Sequence, residues 1–242
     1  MIRVLVAEAA KLRRSLVLLL CAAAPAMVAL LGALMFQQKA GPDQPWLTYL
    51  ASASAIWSFF MLPMTVTALT ILVAQLEHGP RFWNHLLALP VPRASFFAAK
   101  IVVVVLLVAV MTALLLVLTP AFGWLGDAAA PERSLTGELG LAVFAEILAK
   151  MFAASLLLIA LQLWTALRFR SFVPPLVLGI GGTFVGVVAT GSDYGPYFPW
   201  LIATNVLAAD PARAQLALGV GVVGGLLAVA AMLVDLSRRE IV

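Results

Sequence analysis

Six apolar stretches, over residues 15–36, 49–74, 98–119, 140–167, 172–190 and 213–235, dominate this sequence. Each is close to the roughly 20 residues that a helix needs to cross a hydrocarbon core of about 30 Å. Of the 242 residues, 64% are apolar and 11% charged. A soluble domain carries about 25% charged residues, so too few polar groups remain here to face water. Lipid must replace water around most of the chain. The expected fold is an all-α membrane protein with six transmembrane helices, forming one transmembrane domain over residues 1–242. The remaining residues suffice for short loops and not for a separate soluble catalytic domain.

The formal charge of +4 fits the basic bias of cytoplasmic loops and contact with anionic lipid better than nucleic-acid binding. Cys21 is the single cysteine and lies in an apolar run, which excludes an intrachain disulfide and a cysteine-built metal cluster. Arg13 and Arg14 precede the first run, and Ala22 to Ala26 resembles a cleavage region. The run from Leu16 to Phe36 is longer than a typical signal core, so a retained first span is expected.

In residues 1–14, Ile2, Leu5, Val6, Ala9 and Leu12 recur at helical spacing, with Arg3, Lys11 and Arg14 opposite. This pattern predicts an amphipathic helix in the membrane interface; the alternative is a basic extension of the first span. Pro63 falls inside the second stretch and should kink it, whereas Pro174 and Pro175 open the fifth, where proline is harmless. Placing both termini in the cytoplasm puts 11 of the 15 Lys and Arg on the inner side. Trp46, Tyr49, Trp124, Tyr194, Tyr197 and Trp200 then gather near the outer boundary. Residues 37–48 and 120–138 read as outer connections. Tyr197 to Leu207 is too apolar for a free loop and too short to span, which predicts an outer re-entrant or interfacial hairpin between spans 5 and 6.

Several motifs imitate chemistry. Gly219, Gly221 and Gly224 match a dinucleotide fingerprint, but they open an apolar helix with no preceding strand. Close helix packing explains them, as it explains the Gly221–Gly225 and Gly182–Gly186 pairs. No P-loop motif occurs. His78 and His85 are seven residues apart with only Glu77 nearby, which reads as solvated loop histidines. Serines within the spans have no histidine at matching depth, so a catalytic triad is not expected.

The inner loop, residues 75–97, is the most informative segment. Gly79 and Pro80 can open a helix, and Pro90 and Pro92 close it. Phe82, Leu86 and Leu89 share one stripe, with Trp83 and Leu87 beside it. So short a helix is marginal alone and must dock on lipid headgroups, on its own spans or on a partner.

Glu8-x-x-Lys11 before the first span, Glu77 after the second, the basic aromatic helix, Leu89-Pro90-Val91-Pro92-Arg93, and Lys100 opening the third span form a recognisable layout. Together they resemble the permease subunits of type-2 ABC exporters, in particular the small permeases of lantibiotic and bacitracin-type peptide immunity. The resemblance covers the whole chain in layout, and residues 75–100 carry its recognisable motif. It implies an interfacial helix, six spans, a cytoplasmic coupling helix between spans 2 and 3, and an outer hairpin between spans 5 and 6. It further implies an ATPase-docking set of Glu77, Gly79, Arg81, Phe82, Trp83, Leu86, Leu89, Pro90 and Arg93. The partners implied are cytoplasmic P-loop ATPase subunits, which carry the ATP and Mg, and a second permease chain, identical or sibling. The implied location is the bacterial inner membrane, and this chain itself is neither an enzyme nor a cofactor protein; the largely apolar spans favour an amphipathic peptide or lipid as cargo over a simple ion. A membrane-embedded enzyme would need a polar constellation within the spans, and a scaffold or sensor would need no ATPase.

Glu146 and Lys150 lie four apart on one helical face of the fourth stretch. They form either an intramembrane charge pair or, if the span starts near Met151, a pair at the outer interface.

Overall fold

The computed structural model describes residues 5, 8, 10–12, 15–38, 42–76, 93–130 and 133–238, with Arg93 by its backbone only. Helices dominate. They are α1 (Leu16–Gln38), α2 (Trp46–Ile56), α3 (Leu62–Gln75), α4 (Arg93–Ala128), α5 (Leu141–Ala154), α6 (Leu156–Arg168), α7 (Val173–Ala189), α8 (Ile202–Asn205) and α9 (Pro211–Arg238). Residues Gln44–Pro45 (β1) and Leu135–Thr136 (β2) form a small parallel pair joining two connections at one end. Five helical segments are long and apolar enough to cross a membrane: Leu16–Gln38, Trp46–Gln75, Ala94–Ala128, Leu141–Arg168 and Pro211–Arg238. The fifth apolar stretch forms the shorter α7, whose 17 residues reach about 25 Å.

α1 packs along α4. Val17, Cys21, Ala24 and Val28 meet it at alternating spacings of four and three, and Val104, Val108, Met111 and Leu115 answer with the same periodicity. The outward faces keep large apolar side chains such as Leu19, Val117, Val188 and Leu227, which suits lipid and not water.

Proline acts differently at three positions. Pro63 is the expected site of disruption, and there the helix inserts a π-helical turn, Trp57–Met61, immediately before Pro63 opens α3. The wider turn absorbs the hydrogen bond that proline cannot make. Pro25 lies inside α1. Pro120 lies inside α4, which runs on to Ala128. The outer connection expected from residue 120 therefore begins after residue 128. α4 has 36 residues and a length of about 54 Å, so it overreaches a bilayer core. Trp124 thus sits on a helix, edge-on to Trp46 at 5.9 Å between ring centroids.

The fourth stretch is helical from Leu141, capped by Gly140 in the left-handed region at φ 62°. It breaks at Ser155, whose hydroxyl donates to the Phe152 carbonyl oxygen at 2.7 Å. Such side-chain competition for backbone acceptors bends helices. α9 crosses that bend: a Cβ at Gly221 would stand 2.2 Å from the Ala154 carbonyl oxygen, and one at Gly225 2.8 Å from Leu156 Cβ. The glycine pair expected to permit close packing does so here.

Candidate functional site

Two polar clusters hold one end of the bundle together. Glu8, on helical residues ahead of α1, is 6% exposed, and Lys100 of α4 is 2% exposed. Lys100 Nζ donates to Glu8 Oε2 at 3.0 Å, while Lys11 Nζ donates to Glu8 Oε1 at 2.5 Å. Burial alone would raise the Glu8 carboxyl, but the Lys100 and Lys11 ammonium groups outweigh it and hold it below the usual carboxylate range. At the ends of α6 and α9, Trp164 Nε1 and Arg168 Nη1 both donate to Asp235 Oδ2, at 2.9 and 3.1 Å. The segment between α3 and α4 leaves from this same end. The docking residues Glu77, Gly79, Arg81, Phe82, Trp83, Leu86, Leu89 and Pro90 lie outside the described residues. Arg93 begins α4.

Deeper in the bundle, Gln162 of α6 donates through Nε2 to Thr67 Oγ1 of α3 at 2.8 Å, and Thr67 donates to the Pro63 carbonyl oxygen at 2.8 Å. Both side chains are buried, and α7 closes over them at Gly179, where a Cβ would stand 2.1 Å from Thr67 Oγ1. Three helices thus share one polar contact that needs a residue without a side chain. Thr67→Val should lower stability by about 1–2 kcal/mol, because Gln162 Nε2 loses its acceptor in the interior. Thermal unfolding of the detergent-purified protein would measure this.

Glu146 and Lys150 pair at 2.5 Å, but their side chains are 63% and 48% exposed on the bundle surface. The structure therefore forms the pair within the fourth stretch without burying it in this chain.

Residues 4–186 match the model of the ABC-2 family transporter proteins. The chain belongs to the ABC-2 transporter family. The permease also resembles the bacitracin transport permease protein BCRB of Bacillus licheniformis, with 26% identity over 126 residues. That match covers 51% of this chain and 57% of that protein. No solved structure matches. Sequence reasoning named Glu8, Lys11 and Lys100 only as parts of a layout; it did not join Glu8 to a lysine 92 positions away. The available signal was a lysine placed among apolar residues, which needs an anion nearby if buried. It missed the Gln162–Thr67 and Arg168–Asp235 contacts altogether.

Proposed function

We propose that this permease is the transmembrane subunit of an ATP-driven exporter that moves an amphipathic or hydrophobic peptide or lipid out of the cytoplasm or inner leaflet. The family match over residues 4–186 carries this reading. In it, the chain makes six crossings, with α7 as the fifth and both termini in the cytoplasm of a bacterial inner membrane. Tyr197 to Leu207 form the outer hairpin, and the 3₁₀ turn Gly195–Tyr197 that leads into it and the short α8 within it support the assignment. Reporter fusions at residue 242 and at the exposed Gly137 should report opposite sides of the membrane. Matching sides would overturn the six-crossing arrangement.

Residues 79–90 act as a coupling helix that seats Phe82 and Trp83 in a groove of a cytoplasmic P-loop ATPase. ATP binding closes two such ATPases, and the coupling helices pass that motion to the spans, giving alternating access. A second permease chain, identical or sibling, completes the pathway. The relative's name assigns it bacitracin transport, which supports an amphipathic peptide among the cargoes to be tried. Phe82→Asp places a charge in the seating surface and should abolish co-purification of the ATPase while the permease still inserts. Undiminished co-purification and substrate-stimulated ATP hydrolysis would refute the docking assignment.

A further inference from the structure

The end of the bundle opposite Glu8 carries a cavity of about 490 Å³ that the transport reading leaves unused. It lies between Ala55 of α2, Thr190 just past α7, Thr204 and Asn205 around α8, and Arg213 of α9. Arg213 falls beyond residues 4–186, so the family match says nothing of it.

The guanidinium of Arg213 is oriented by the protein. Its Nε donates to Asn205 Oδ1 at 2.7 Å, and its Nη2 donates to the Ser192 carbonyl oxygen at 3.0 Å. Neither acceptor carries a full charge, and no described carboxylate pairs with Arg213. Its Nη1 makes no hydrogen bond among the described residues. Thr204 lines the same cavity, but its Oγ1 is shielded from it and has no hydrogen-bond partner among the described residues, so Arg213 is the donor the cavity offers. A half-buried guanidinium held in a fixed orientation and facing no described carboxylate favours a ligand oxyanion. Leu201 and Leu207 make the remaining wall largely apolar. Asp210 adds one negative charge at the exposed rim, its Oδ1 accepting the Ala212 N–H at 3.0 Å. A second anionic charge on the ligand would meet repulsion there, whereas an ammonium would be attracted.

One fixed cation, one rim anion and an apolar wall together describe the headgroup of a zwitterionic amphiphile. The volume falls within the roughly 300–1,000 Å³ usual for small-molecule sites. We propose that this cavity binds the headgroup of a zwitterionic phospholipid, with its phosphate on Arg213, its ammonium toward Asp210 and its glycerol end along Leu201 and Leu207. This rests on the reading that the α7–α9 end meets a membrane surface, and on no property of an ATPase.

Native mass spectrometry of the detergent-purified chain tests it by titration with phosphatidylethanolamine, phosphatidylglycerol, diacylglycerol and inorganic phosphate. One phosphatidylethanolamine should bind per chain in preference to the other three. Arg213→Gln should weaken that binding by about tenfold or more, since it removes a charge-assisted contact. Asp210→Asn should bring phosphatidylglycerol level with phosphatidylethanolamine. Because Arg213 also braces Asn205, Ala55→Phe serves as an independent block: it fills the cavity from α2 without touching the partners of Arg213. It should lose the lipid at unchanged melting temperature. Wild-type lipid affinity in Ala55→Phe, an unaltered lipid preference in Asp210→Asn, or inorganic phosphate binding as tightly as the lipid would each overturn the proposal. The assay contains no ATPase, so a failure of the exporter reading would leave its outcome unchanged.

Discussion

Lys100→Met should lower the melting temperature of the purified permease by on the order of 10 °C, and Glu8→Gln added to it should restore much of the loss. Lys100 is almost fully buried and spends its charge on Glu8 at 3.0 Å. Removing one member of a buried pair leaves the other charge desolvated and typically costs about 3–5 kcal/mol, whereas replacing both can be close to neutral. Lys11 survives the exchange because its side chain is a quarter exposed and reaches water. The same pair sets a pH dependence. The Glu8 carboxyl is held below its ordinary value of 4.5 in the folded protein. Its contribution to stability is therefore complete above 4.5 and disappears as pH falls through the lower, folded value. Acid titration of unfolding should show wild type losing stability faster below 4.5 than the double variant does. Parallel acid profiles, or an unaffected Lys100→Met, would mean that Glu8 is not pinned to α4.

Gly221→Ala should prevent α9 from packing on the α5–α6 bend, with a loss of about 3 kcal/mol or more and much reduced yield of monodisperse protein. The added methyl would stand 2.2 Å from the Ala154 carbonyl oxygen and 2.6 Å from its Cα. Both are backbone atoms, so no rotamer change relieves the overlap; α9 must move. Gly219→Ala is the matched control, because nothing lies within 4 Å of its Cβ position. On helix propensity alone that change should be neutral or stabilising by up to about 1 kcal/mol. Equal behaviour of the two variants in thermal unfolding would refute the close approach of α9 to Ala154.

The contrast between those two glycines marks the boundary between what the chain declares and what folding adds. Apolar run length pointed to crossings over residues 15–36, 49–74, 98–119, 140–167 and 213–235, and helices able to cross lipid form over each of them, while the remaining stretch, 172–190, forms the shorter α7; hydrocarbon thickness fixes how many residues a crossing takes. The spacing of Gly221 and Gly225 announced a packing face, since only small residues let two helix backbones approach. The sequence could not say which helix that face meets. Gly219 and Gly221 look alike in the chain, and only the position of the Ser155 bend makes one indispensable and the other free. Residues from 120 onward read as a connection, yet α4 continues through Pro120 to Ala128, packed along α1 and against the ring of Trp46. Charges divide in the same way. Glu146 and Lys150 were legible as a pair because helical spacing brings residues four apart together, but their exposure depends on which way the helix faces. Glu8 with Lys100, Gln162 with Thr67, and Arg213 with Asn205 and Ser192 meet through the fold. Apolar run lengths specify each crossing separately; where a polar side chain finds its partner is decided by how the crossings turn toward one another.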